Sequence, residues 1–213
     1  KVQPNLLSKE EKDITFMPCN QRNTLMRANV LLDIPEDVLY EDTYFEFKET
    51  EGTSKTMSPV YWLHNHFTPM HKKMTVAIKA RNLTPQQKGK ALIVSTIDKM
   101  SWYAEGGTWN GDNISVRTRS FGGYAIALDT VAPRITPINI YNNANMSRKW
   151  SISIKITDNL SGIKKYRGTV DGKWILMAYD AKNRKLSYYF DEKVTTGDHI
   201  FRIVVTDEVG NIA

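Results

Sequence analysis

A chain of 213 residues with 41% hydrophobic and 24% charged residues has the size and balance of one or two soluble globular domains, each able to bury a core without staples. Its net charge of +6 is scattered rather than striped along one face, which speaks against a nucleic-acid partner, and no run approaches the roughly 20 apolar residues of a membrane span. The single Cys19 excludes an internal disulfide framework and a cysteine zinc site, and reads as a core thiol rather than a reactive one.

Residues 1–24 read as a polar leader, partly extended, with one short strand at residues 14–17 that Pro18 ends. Lys1 begins no recognisable signal peptide, and a start at Lys rather than Met reads as a fragment or a processed form. Residues 25–128 carry a series of strand patterns. Residues 30–34 stop at Pro35, residues 44–48 and 74–80 alternate, and residues 91–97 open as a continuous apolar run suited to a central strand. Further strands are expected at 60–64, 113–118 and 124–128, with a hairpin turn at 109–112. The nearest helix candidate is the turn at 35–39, where proline and acids come early. These residues are expected to form a first β-sandwich domain.

Asp129-Thr130-Val131-Ala132-Pro133 reads as a linker, since Pro133 holds its neighbour extended and a new strand series follows. Strands are expected at 134–140, 150–157, 163–170, 173–179, 185–190 and 199–206. Asp171-Gly172 tolerates the positive φ angles of a two-residue hairpin turn. Short strands with a turn signal every eight to twelve residues or so mark an all-β sandwich, so residues 129–213 are expected to be an immunoglobulin-like domain lacking its last strand. The two halves share an architecture without a convincing repeat. The fold class is therefore all-β, with two tandem β-sandwich domains.

Three groups of residues bear on chemistry. His64 and His66 lie two apart, which on an extended strand places both on one face as a candidate zinc pair, with His71 close by; a third ligand and a general base are not evident, and loop histidines are the plainer reading. Asp129, Asp158 and Asp207 fall where sandwich topology gathers turns at one pole. With Asn159 and Asn211 they form a candidate calcium site beside the first domain, or each caps its own turn. Trp102, Tyr103 and Trp109 flank a glycine-containing loop and form either a sugar-stacking platform or a local core that seals a hairpin. Trp174 is a candidate core aromatic. Ser161 has no neighbouring histidine, which argues against a serine hydrolase.

The run Phe121-Gly122-Gly123-Tyr124, the linker 129–133, Thr157-Asp158-Asn159-Leu160-Ser161-Gly162, Val170-Asp171-Gly172-Lys173-Trp174, Tyr179-Asp180 and Thr206-Asp207-Glu208-Val209-Gly210-Asn211 together resemble the C-terminal region of lysostaphin-like zinc endopeptidases, which are exported bacterial enzymes acting on peptidoglycan. Upstream, Ile34-Pro35, Leu39-Tyr40-Glu41-Asp42, Ser58-Pro59-Val60-Tyr61 and Pro69-Met70-His71-Lys72 fit as well, so the resemblance covers nearly all of the chain. The peptidase domain of that family carries His-x-x-x-Asp and, later, His-x-His; here His64-Asn65-His66 copies only the spacing of the second, and no catalytic residue carries over. The resemblance implies a non-catalytic accessory region of a periplasmic, cell-surface or secreted protein, with the enzyme upstream of Lys1 or lost. Its partners would be the upstream peptidase domain of the same chain and peptidoglycan or another glycan. Calcium is the one cofactor expected of this fragment. The alternative is a carbohydrate-binding or adhesion module of the cell envelope.

Overall fold

The computed structural model describes residues 13–213, so the part of the expected leader before Asp13 lies outside them. Regular structure is almost all β, and the chain divides into two compact units that part between Leu128 and Asp129. Among the described residues no helix is long and apolar enough to cross a membrane.

The first unit runs through β1 (Asp13–Met17), β2 (Asn23–Arg27), β3 (Val30–Ile34), β4 (Thr43–Thr50), β5 (Val60–Leu63), β6 (Met74–Lys79), the single-turn α1 (Pro85–Lys88), β7 (Ala91–Thr96), β8 (Tyr103–Gly106), β9 (Thr108–Asn110), β10 (Asn113–Thr118) and β11 (Gly122–Leu128). They form two antiparallel sheets, β1-β4-β5-β11-β7-β8 and β2-β3-β6-β10-β9. Alternation decides which side chains meet between them: Met74, Val76 and Ile78 of β6 are wholly buried, while Thr75 and Ala77 face outward. Phe45 and Leu63 of one sheet pack with Leu32, Ile78 and Ile114 of the other. The continuous apolar run of β7 and its partner β11 are buried on both faces.

Two expectations for this unit are corrected. Residues 14–17 are not part of a separate leader, because β1 pairs in register with β4, Ile14 opposite Glu46, and β2 joins the other sheet. The turn at 35–39 is not a helix; Asp37 stands at φ +58°. Instead α1 forms where Thr84 and Gln87 cap one another reciprocally and Pro85 opens the helix, a Thr-x-x-Gln box legible in the sequence.

The second unit comprises β12 (Arg134–Pro137), β13 (Ser151–Thr157), β14 (Ile163–Val170), β15 (Lys173–Ile175), β16 (Ala178–Asp180), β17 (Lys185–Tyr189) and β18 (Phe201–Asp207). Its sheets are β12-β13-β17-β16 and β15-β14-β18. The first has the A-B-E-D order of an immunoglobulin sandwich and the second supplies its C and F strands. Among the described residues no strand follows β18, but Ile212 bridges Thr206 antiparallel at that edge. Asp171 and Gly172 turn at φ +49° and +78°, as the hairpin requires.

The expected strand 173–179 is two strands in opposite sheets. β15 pairs with β14 and β16 with β17, and the chain crosses between them with Ile175 and Met177 buried and Leu176 exposed. Gly168 makes room for this crossing: a Cβ there would stand 2.6 Å from the Met177 sulfur. Trp174 is not core, because it lies opposite Thr169 on the outward face and is 52% exposed.

Candidate functional site

The second unit gathers its three sequence-distant aspartates at one pole. Asp129 begins the unit, Asp158 follows β13 and Asp207 ends β18. One oxygen from each lies within 4.8 Å of the others. Asp129 and Asp207 are 1% and 0% exposed, and Asp158 is partly buried. The end of a strand lies beside the start of its antiparallel neighbour, Thr157 opposite Arg134 and Asp207 opposite Ile163, so topology does what sequence spacing does not.

Each carboxylate is held by its local turn. Asp158 Oδ2 accepts the backbone N–H of Leu160 at 3.1 Å and of Gly162 at 2.8 Å. Asp207 Oδ1 accepts those of Val209 at 3.0 Å and Asn211 at 2.7 Å. Asp129 accepts from Val131 through Oδ1 and from Ser161, across the pole, through Oδ2 at 2.9 Å. The turn-capping reading of these residues thus describes real bonds, and the cross-pole bond from the Ser161 N–H adds a tie that no local pattern signals.

Asn211 fastens the cluster. Its Nδ2 donates to Asp207 Oδ2 at 2.6 Å and to the carbonyl oxygens of Asp129 and Val131. Three acceptors fix the amide with its nitrogen toward the aspartates, so the expectation of an oxygen ligand from Asn211 is corrected: that side offers only donors. Asn159 is exposed beside Asp158.

Charge is the unresolved quantity at this pole. Among the described residues no Lys, Arg or His pairs with any of the three aspartates; Lys164 instead meets Glu208, at 3.9 Å. Two unit charges about 5 Å apart repel by about 3 kcal/mol at an effective dielectric near 20. Two polar atoms here are also buried without a hydrogen-bond partner, Asp158 Oδ1 and Ser161 Oγ. Hard oxygens with spare lone pairs and excess negative charge suit calcium, which takes carboxylate, carbonyl and water ligands.

The histidines are not brought together. His64 sits at φ +55°, which breaks the extended geometry that would have aligned it with His66. Its ring stacks on Phe45 and meets Phe121 edge-on, and Nδ1 accepts the Glu46 N–H at 3.3 Å. Desolvation holds its pKa below the usual histidine value, consistent with a neutral packing residue. His66 lies exposed against Phe67, and His71 stacks on Tyr40 at 3.5 Å. The loop aromatics are also divided: Tyr103 is exposed, Trp102 is partly buried, and Trp109 packs against the core with Nε1 donating to the Lys88 carbonyl. They do not form a row of exposed rings. Cys19 is half-buried against the same core, and desolvation and the Asp42 carboxylate push its thiol up, away from the reactive thiolate.

A second polar device closes the far end of this unit. His199 Nδ1–H donates to Asp171 Oδ2 at 2.7 Å and Nε2–H donates to the Thr195 carbonyl at 2.8 Å. Both ring nitrogens face acceptors, so the imidazolium is favoured: the Asp171 bond first, then the Thr195 carbonyl, raise the His199 pKa, and His199 lowers that of Asp171.

A family model described as a Zu5-like domain matches residues 14–129, just over half of the chain and very nearly the extent of the first unit. No curated protein and no solved structure matches the chain.

Proposed function

The chain belongs to the Zu5-like domain family, and on the separate ground of its motifs we propose that it works as a non-catalytic accessory region of an exported bacterial cell-wall metalloendopeptidase, in which a Zu5-like β unit and an immunoglobulin-like unit position the peptidase and hold it against peptidoglycan. The motif resemblance to lysostaphin-like endopeptidases supports the setting. The single observation that supports the non-catalytic role is His64: the residue best placed by sequence to hold a catalytic metal is packed between Phe45 and Phe121 with Nδ1 taken by the Glu46 N–H. A side chain so engaged is a wall of the core, not an open ligand.

Calcium is the ion this reading assigns to the second unit. Asp129, Asp158 and Asp207 would hold it, and the spare Asp158 Oδ1 is the observation that fits. The ion would supply charge neutralisation that the surrounding side chains do not. It would thereby staple the three turns into one rigid pole.

Co-sedimentation with purified peptidoglycan sacculi tests the function, with added zinc in a parallel arm to expose any hydrolysis. The chain is expected to pellet with the sacculi and to release no soluble wall fragments in either arm. Release of fragments would contradict the non-catalytic role, and a chain left wholly in the supernatant would contradict the wall contact.

A further inference from the structure

The outward face of the sheet β15-β14-β18 carries a different chemistry from the rest of the second unit. Register sorts its side chains into rows. Thr169 lies between Trp174 on β15 and Arg202 on β18; two residues along, Arg167 lies opposite Val204; two further, Lys165 lies opposite Thr206, which Ile212 bridges. Successive outward positions on a strand are roughly 7 Å apart. Trp174, Val204 and Ile212 are 52%, 46% and 65% exposed, and they line a shallow groove of about 460 Å³ together with Lys165 and Arg167.

Lys165, Arg167 and Arg202 are all exposed, and none has an ion-pair or hydrogen-bond partner among the described residues. No carboxylate occupies an outward position of these rows. Of the acids that adjoin these strands, Asp207 is buried, Asp171 is held by His199 at the hairpin turn, and Glu208 is engaged by Lys164 at the margin. Three unpaired cations around a half-exposed indole and two aliphatic side chains make a surface that is at once anion-attracting and CH-rich. An acidic peptide would satisfy the cations and leave the indole unused, and a nucleic-acid strand calls for several ring platforms to stack successive bases, where this face has one. A pyranose ring bearing carboxylates matches both components.

We propose that this face is a binding site for an acidic glycan, with one sugar ring stacked on Trp174 and its carboxylate, and those of the neighbouring sugars, paired with Arg167, Lys165 and Arg202. The site deepens the wall-contact reading and rests on it for its biological setting.

Calorimetric titration of the chain with galacturonic acid hexamer, chitohexaose, hexaglutamate and a thymidine hexanucleotide tests it. The acidic hexasaccharide is expected to bind at least about tenfold more tightly than each of the others, and Trp174→Ala to weaken it by about tenfold or more, as loss of an aromatic anchor does. Replacing Arg167 and Lys165 by Ser is expected to weaken it and to flatten its salt dependence. Equal or tighter binding of hexaglutamate or the hexanucleotide, an unaffected Trp174→Ala variant, or no binding of the acidic hexasaccharide would each overturn the proposal. Sacculi retained equally by the wild type and Trp174→Ala would overturn this site and leave the wall contact standing; Trp174-dependent glycan binding without sacculus retention would do the reverse.

Discussion

The two units reach order by different means. The first places a broad apolar layer between its two sheets, with Phe45, Leu63, Leu32, Ile78 and Ile114 all fully buried. The second has a smaller core around Ile154, Ile156, Leu186 and Val205. What it lacks in buried area it replaces with polar ties at its ends, the aspartate pole at one and the His199–Asp171 clasp at the other. Small sandwiches have less surface to bury, so a charged turn cluster there carries structural weight that a first-unit turn does not.

Phe45→Ala should produce the largest loss, about 3 to 5 kcal/mol, because truncating a buried aromatic leaves a cavity. Chemical denaturation measures it; a midpoint near wild type would remove the apolar layer as the basis of the first unit. Next comes Asp207→Ala, which strips the acceptor from the N–H groups of Val209 and Asn211 and from Asn211 Nδ2. Loss of these charge-assisted acceptor contacts at part-buried donors makes this about 2 to 4 kcal/mol, and it should lower the second unit's transition alone. A uniform effect on both transitions would break the contrast drawn between them.

Trp174→Ala should cost less than about 1 kcal/mol, since the ring is half-exposed. A loss of core size would place Trp174 among the residues that hold the unit together. The smallest effect is pH-dependent. Because the folded pKa of His199 is raised, its contribution is fully present below the unfolded value of about 6.5 and fades as pH rises through the folded value. The melting difference between wild type and His199→Ala should therefore shrink as pH increases above about 6.5; a constant difference would mean that the charge of the clasp does not matter.

Much of this architecture was legible in the residues, and where it was not the reason is physical. Period-two alternation marked β6 and β13, and Asp171-Gly172 marked its hairpin, because local sterics alone fix those features. The split of residues 173–180 between sheets was hidden, since it depends on Met177 packing over Gly168, a contact between residues nine apart. β2 escaped because Asn23–Arg27 is short and its alternating burial shows only once β3 is beside it. The aspartate pole was visible through topology, which sends turn residues of neighbouring strands to one end. The amide orientation of Asn211 and the Ser161 tie were not, for both depend on angles of a few side chains.

The most direct test of the charged pole compares the melting of the second unit in calcium and in chelator, for the wild type and for Asp158→Asn. The substitution removes one charge and keeps an oxygen for the Leu160 and Gly162 caps. Calcium at about a hundred times its dissociation constant should raise the wild-type transition by on the order of 10 °C. The variant should melt above the wild type in chelator, where repulsion dominates, and below it in calcium, where a ligand is lost. A wild-type transition indifferent to calcium, or a variant less stable in both conditions, would contradict an ion-binding pole and leave the aspartates as turn caps alone.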